Sequence, residues 1–169
     1  KTACDMLRSL VGSEMCIRAR PGVYRQLLAH HGVDGVDLAT LRHGLTAGEA
    51  LSPELHAAWV AQTGRPLYEA LGMSEISTYI SAGPDVPTRV GSPGRPQPGR
   101  RVAILPTDGP PEPLPAGATG LLAVHRSDPG LMLGYWRRPD AAARAHRGRG
   151  FVGGDLARLD PAGYLLHPG

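Results

Sequence analysis

Lysine is almost missing from this chain: of 18 basic residues 17 are arginine, and the only lysine is Lys1. A mechanism that needs a lysine amine elsewhere cannot draw it from this sequence. Cysteine is nearly as scarce, and Cys4 and Cys16 have no histidine between or beside them, so neither zinc-site nor redox-motif spacing is met. Nothing demands an oxidising compartment. No run approaches the roughly 18 apolar residues of a membrane-spanning helix, and no charged start followed by an apolar core resembles a secretion signal. The expectation is a cytoplasmic protein with no membrane partner. The seven histidines, His30, His31, His43, His56, His125, His146 and His167, show no metal-ligand spacing. Acidic residues are in slight deficit, giving a net charge of +3 and a pI near 9.2. The arginines are scattered, however, and only Arg137-Arg138 and the stretch 144–149 approach a cluster, without any nucleic-acid motif. A solvated basic face is expected, and no nucleic-acid partner.

What is present is turn chemistry around an apolar core. Gly 23 and Pro 17 sit beside 41% apolar content, which reads as a loop-rich globular chain with room for one ordinary domain or two small pieces of a larger one. Residues 1–19 differ in kind: they hold both cysteines, the lysine and two of the four methionines. They are set aside as a non-native or disordered tract, the alternative being a short helix with Met6, Leu7, Leu10 and Val11 on one face. Residues 20–84 read as an α/β piece. Proline at position 21 opens a helix with Tyr24, Leu27 and Leu28 on one face before Gly32, and 38–48 reads as strand or loop. Ser52 then caps a second helix with Pro53 at its first position, Leu55, Ala58 and Trp59 inward, and Gly64 at its end. An apolar strand from Pro66 delivers Gly72 to Glu75 at its carboxyl end, where ligands of an α/β layer bind. Residues 83–99 are rich in Pro and Gly and mark a boundary. Residues 85–169 read as a small β-rich subdomain, with strands at 101–105 and 120–125, a short helix at 139–145, and a hairpin whose type I turn is Asp160-Pro161-Ala162-Gly163. Trp59 and Trp136 read as packing residues. The fold class is therefore α/β: a strand-helix-strand layer followed by a β-rich subdomain.

Two tracts carry chemistry. Glu69-Ala70-Leu71-Gly72-Met73-Ser74-Glu75 offers a glycine for close backbone approach, a hydroxyl for phosphate and a carboxylate for a cation, while Gly154-Asp155-Leu156 offers a carboxylate suited to a diol. Read singly, the first is equally a plain turn with a helix cap and the second the start of a hairpin. In series with Thr46-Ala47-Gly48-Glu49-Ala50-Leu51, 90–96, 117–124, Gly130 to Trp136, Asp160 and Gly163-Tyr164, the chain resembles the adenylate-forming superfamily of acyl-CoA synthetases over residues 21 to 169. The resemblance implies a reaction of a carboxylic acid with ATP and coenzyme A to give acyl-CoA, AMP and diphosphate. It implies Glu75 as a magnesium ligand, Ser74 and Glu75 as catalytic residues, and Gly48, Glu49, Ala50, Leu71, Gly72, Met73, Ser74 and Asp155 around the nucleotide. Its partners would be a small carboxylic acid and a nucleotide, and residues 76–81 would border a pocket for an aromatic or short-chain acid. Leu71 stands where many members carry an aromatic, Ser74 where they carry threonine, and Gly154 where threonine precedes the aspartate. The family's Ser/Thr/Gly-rich phosphate loop and its lysine-bearing C-terminal domain have no counterpart here, so the chain is expected to be a fragment of the N-terminal domain and inactive alone. A non-catalytic nucleotide-binding or interaction module of the same fold is the alternative.

Overall fold

The computed structural model of the chain describes residues 15–29, 33 and 35–167. The helix considered at Met6 to Val11, and the positions of His30, His31 and Gly32, lie outside the described residues. Two five-stranded sheets make up the fold. The first contains β1 (Met15–Ala19), β2 (Leu41–Ala47), β3 (Leu67–Met73), β4 (Ser77–Ser81) and β5 (Arg95–Pro96), in that spatial order, with α1 (Pro21–Ala29) and α2 (Pro53–Thr63) as crossovers. Pairing is parallel from β1 to β3 and antiparallel from β3 to β5. The tract set aside at 1–19 thus contributes its last five residues to the sheet, and β5 extends that sheet beyond the boundary drawn at 84.

The helices form where local chemistry directs them. Ser52 Oγ accepts from the Leu55 N–H, Pro53 opens α2, and Gly64 closes it in the left-handed region with its N–H on Val60 O. Both helices cover one face of the parallel strands. Trp59 and Tyr24 are fully buried there and meet edge to face at 4.9 Å, among Ile17, Leu27, Leu55 and Leu67. The Tyr24 hydroxyl donates to Ile17 O at 2.6 Å, so its polar end is satisfied inside the core. Trp136, by contrast, is 86% exposed rather than packed, because it sits in an irregular loop on the outside of the molecule with only Arg137 over its ring.

The second sheet runs β10 (Leu165–Leu166), β9 (Gly150–Leu159), β7 (Gly120–His125) and β6 (Val102–Leu105), with β8 (His146–Arg147) on β9, all antiparallel. The short helix α3 (Pro139–Arg144) precedes β8. Asp160 to Gly163 turns β9 into β10, with the Gly163 N–H on Asp160 O at 2.8 Å. A second core joins the two sheets: Ile76, Tyr79 and Ile80 pack with Ile104, Leu122, Val124, Ala157 and Leu165. Of residues 76–81, expected along an acyl pocket, Ser77–Ser81 form β4, and Ile76, Tyr79 and Ile80 belong to this core.

Gly94, just before β5, links the first sheet to β10 of the second. Its φ is +115°, its carbonyl accepts from Leu165 N–H, and a Cβ placed there would lie 2.1 Å from the Ser81 carbonyl carbon and 2.2 Å from Ala82 N. No side chain fits, because both offending atoms are backbone. Gly94→Ala is expected to lower unfolding free energy by at least ~2 kcal/mol, read from denaturant midpoints, since it adds overpacking to a strained φ.

Candidate functional site

Parallel β2 and β3 run in register with Ala47 beside Ala70, so both release their chains at the same edge of the sheet. Beyond β2, Gly48 turns at φ +92°, Glu49 and Ala50 are exposed, and Leu51 returns to the core. Buried Glu69 of β3 holds this turn by accepting from the Leu51 backbone. Burial pushes its carboxyl above the ordinary 4.5, and the Leu51 hydrogen bond opposes that only in part.

Beyond β3 there is no helix, so the turn-and-cap reading holds only in its first half. Met73 to Ile76 form a hairpin turn, with Ile76 N–H on Met73 O and Ser77 at φ +62°. A Cβ at Gly72 would meet Ser77 O at 2.5 Å across this hairpin. The glycine is thus demanded by the chain's own backbone, before any ligand is considered. The turn presents Ser74 to solvent and leaves Glu75 half-buried.

A loop from the second sheet seals the other side. Arg100 pairs with Asp128, whose side chain is 1% exposed; Arg100 also donates to Thr78 O of β4, and Asp128 Oδ1 accepts from Gly130 N–H at 2.8 Å. Past this anchor the Met132 N–H donates to Glu75 O at 2.6 Å, and the Tyr135 hydroxyl donates to Glu75 Oε1 at 2.8 Å. That hydrogen bond holds the Tyr135 phenol above its ordinary value, with desolvation and the carboxylate charge acting the same way.

Between the two lies an open cleft of about 580 Å³, lined by Met73, Glu75, Tyr135, Ala141, Arg144, Ala145, Val152, Gly153 and Asp155. Glu75 and Asp155, remote in sequence, face the same space. Asp155 lies within β9, where Gly154 at φ +98° precedes it, and not at the start of a hairpin. Burial, with the charge of Asp155 added to it, pushes the Tyr79 phenol well up. Arg144 is held by Asp140 one helical turn away at 3.0 Å. Of the residues selected from sequence, Met73, Glu75 and Asp155 are brought together; Gly48, Glu49, Ala50, Leu71, Gly72 and Ser74 lie outside the lining, and Leu71 packs against the second core. Sequence reasoning misses Tyr135 and Arg144. Tyr135 stands in a tract that carries the resemblance, but nothing in its spacing from Glu75 announces their contact.

An AMP-binding enzyme family description matches residues 15–136. The chain is 33% identical over 145 residues to an uncharacterized acyl-CoA ligase, YtcI, of Bacillus subtilis, covering 86% of this chain and 27% of that protein. Apo MatB from Rhodopseudomonas palustris superposes with a TM-score of 0.88 at 25% identity, over 99% of this chain and 33% of the other. An anthranilate CoA ligase, AuaEII, solved with anthranoyl-AMP, gives 0.82 at 27% identity, over 98% and 32%. The chain thus spans about a third or less of the length of these proteins.

Two outcomes follow from the site's construction. Asp128→Ala leaves Arg100 without its partner and is expected to cost about 3–5 kcal/mol, the penalty for breaking a buried pair, while Arg100→Met with Asp128→Leu recovers part of it in a double-mutant cycle. For Glu69 the folded value is raised, so its contribution to stability falls as pH climbs from about 4.5 through that value. Glu69→Gln keeps an acceptor for Leu51 and should flatten the stability profile across that window.

Proposed function

This chain belongs to the AMP-binding enzyme family, and from that premise we propose that it supplies the nucleotide-gripping part of an AMP-forming acyl-CoA synthetase. The reaction joins a carboxylic acid to ATP, forming an acyl-adenylate and releasing diphosphate, and then transfers the acyl group to the thiol of coenzyme A with release of AMP. One observation carries the reading: Glu75 and Asp155, eighty residues apart, line one cleft. Asp155 accepts from the ribose 2′ and 3′ hydroxyls, each a hydrogen bond to an ionised acceptor. Ser74, exposed on the adjoining turn, donates to phosphate oxygen as the nucleotide extends along the hairpin. Gly48, Glu49 and Ala50, beyond the neighbouring parallel strand, border the adenine, with Leu71, Gly72 and Met73 shaping the strand end beside them.

The donor set suits magnesium bound through the substrate. No group of three or more His, Cys, Asp or Glu occurs among the described residues, and magnesium takes one or two carboxylates with phosphate oxygens and water completing its shell. Glu75 is that carboxylate: Oε1 accepts only a neutral phenol, and no cationic side chain among the described residues pairs with it. When bound, the ion neutralises charge on the phosphates during displacement.

The acid we assign to the compact aromatic or short-chain class, a reading supported by the likeness to the anthranilate ligase. Turnover requires the phosphate loop and lysine-bearing domain, which we place in the two thirds of the longer relatives outside this match. A second reading, in which the chain binds nucleotide without catalysis, is favoured by Arg144, the one cation lining the cleft, being engaged by Asp140. Isothermal titration with AMP decides whether the grip exists. Saturable binding is expected, weakened about tenfold or more by Asp155→Asn, the worth of a hydrogen bond to a charged group. Glu75→Gln should leave AMP affinity nearly unchanged and abolish the effect of magnesium on ATP binding. Equal AMP affinity for Asp155→Asn and the parent chain would overturn the proposal. Hydroxamate trapping of an acyl-adenylate separates the catalytic from the non-catalytic reading.

A further inference from the structure

The second sheet has an outer face that the cleft does not use. Along β6 and β7, Ile104, Leu122 and Val124 point into the core, so Ala103, Leu105, Ala123 and His125 point the other way. Ala103 pairs with Ala123, whose partner on β9 is Val152, and Gly150 pairs with His125 and lies against Ala123 and the Leu105 side chain. Ala123 and Leu105 are buried beneath this face, so its open small-residue floor is Ala103 and Gly150. A trough of about 500 Å³ results. Pro111, Glu112 and Pro113 wall one side and Gly148 and Arg149 the other, the two meeting where Gly148 lies against Pro111. The walls are tied together: the Arg147 guanidinium donates to Pro106 O, to Thr107 O at 2.7 Å and to Gly109 O at 3.0 Å.

One end of the trough is cationic. Arg101 and Arg149 line it and Arg126 adjoins His125. Arg89 pairs with Asp160, Arg100 with Asp128, and Arg138 and Arg144 with Asp140, whereas none of Arg101, Arg126 and Arg149 forms an ion pair among the described residues. Glu112, at the wall, is the one carboxylate in the lining. Arg101 donates to Ser127 Oγ, and the Ser127 N–H donates to His125 Nδ1 at 3.2 Å. Nδ1 is therefore an acceptor, the ring proton sits on Nε2, and His125 offers an N–H donor.

We propose that this trough is a second binding site, for a small carboxylate carried on a flat apolar body. The carboxylate occupies the end formed by Arg101, Arg149 and His125, and the body lies on Ala103 and Gly150. Its volume falls in the range of small-molecule sites, and its division into an apolar floor and a few convergent polar groups is their usual composition. Desolvation and the charges of Arg101, Arg149 and Arg126 hold the His125 imidazole below its ordinary value, consistent with a positive field at this end of the trough. No residue of the Glu75–Asp155 cleft takes part, so the site stands or falls separately from the nucleotide reading.

The test follows the His125 ring by NMR in the full chain at constant ionic strength, assigned by its loss in His125→Gln. Sodium benzoate should shift the ring resonances saturably and raise the His125 pKa, with acetate at least about tenfold weaker because it lacks the apolar body. Arg101→Gln with Arg149→Gln should weaken benzoate about tenfold or more, the worth of charge-assisted hydrogen bonds. Ala103→Leu should weaken it by filling the floor while leaving the cations in place, and Glu75→Gln and Asp155→Asn should not affect it. Equal responses to benzoate and acetate, or parental benzoate affinity in the double arginine variant, would overturn the site. Concentration-dependent perturbation of His125 without benzoate would mean that a second copy covers this face, and would overturn the small-ligand assignment as well.

Discussion

The cleft depends on one buried ion pair. Arg100 and Asp128 meet where the two sheets join, the Asp128 side chain almost wholly out of water and Arg100 four-fifths so. Such a pair is poor evidence for stability, because desolvating two charges costs about as much as their attraction returns. Its value here is positional. Arg100 also donates to Thr78 O on one sheet, and Asp128 also accepts from Gly130 N–H at the start of the loop from the other. Four groups on three segments are thereby fixed at one point, and the loop leaves it aimed at Glu75. The Met132 N–H and the Tyr135 hydroxyl both reach Glu75 within the short span that follows Asp128, too little chain for the loop to drift away from the turn it covers.

Given that anchor, the rest of the geometry is set by sheet topology. Parallel strands send successive chain segments to the same edge, and the switch to antiparallel at β4 folds the Met73–Ile76 turn back over that edge. The second sheet packs its apolar face on β4 and turns Asp155, in the middle of the ten-residue strand β9, toward the same space. A carboxylate from the β3–β4 turn and one from the second sheet then line the same cleft, with the Tyr135 hydroxyl on Glu75. Two acidic groups in one cleft of a chain with net charge +3 run against the average field, which is what a site for hydroxyl donors and a cation requires.

Local chemistry is readable wherever it obeys a single short-range rule. Ser52, Pro53 and Gly64 delimit α2 because each satisfies or spares a specific backbone group, and Asp160 to Gly163 is a turn for the same kind of reason. Strand β4 escapes because Ser77-Thr78-Tyr79-Ile80-Ser81 has polar residues at its ends and acquires its character from the second sheet packed on Tyr79 and Ile80. β1 escapes because the composition of 1–19 is foreign to the rest, although Cys16 to Ala19 need only a parallel neighbour to become a strand. Trp136 shows the opposite failure, since residue type argues for burial while the loop carrying it leaves the ring exposed with Arg137 over it. Gly72 is legible as a close approach, but not what approaches: the nearest atoms belong to Ser77. The convergence of Glu75 and Asp155 is available only through the ordered series of motifs; no periodicity links residues eighty apart.

The proposed reading implies a division of labour between binding and turnover. On the proposed reading, Asp155 and Glu75 contribute acceptors and negative charge, which hold sugar hydroxyls and a cation equally well before and during displacement at phosphorus. Interactions that do not strengthen in the transition state improve affinity without accelerating the step. Acceleration needs positive charge directed at the oxygens that gain electron density, and the one cation lining the cleft, Arg144, is already engaged by Asp140. Arg100 is committed to the sheet junction, and Arg101 and Arg149 stand on the far face of the β-rich sheet, away from Glu75. On that reading the residues of this cleft serve recognition of the nucleotide more than acceleration of the step, because what they supply is acceptors and negative charge.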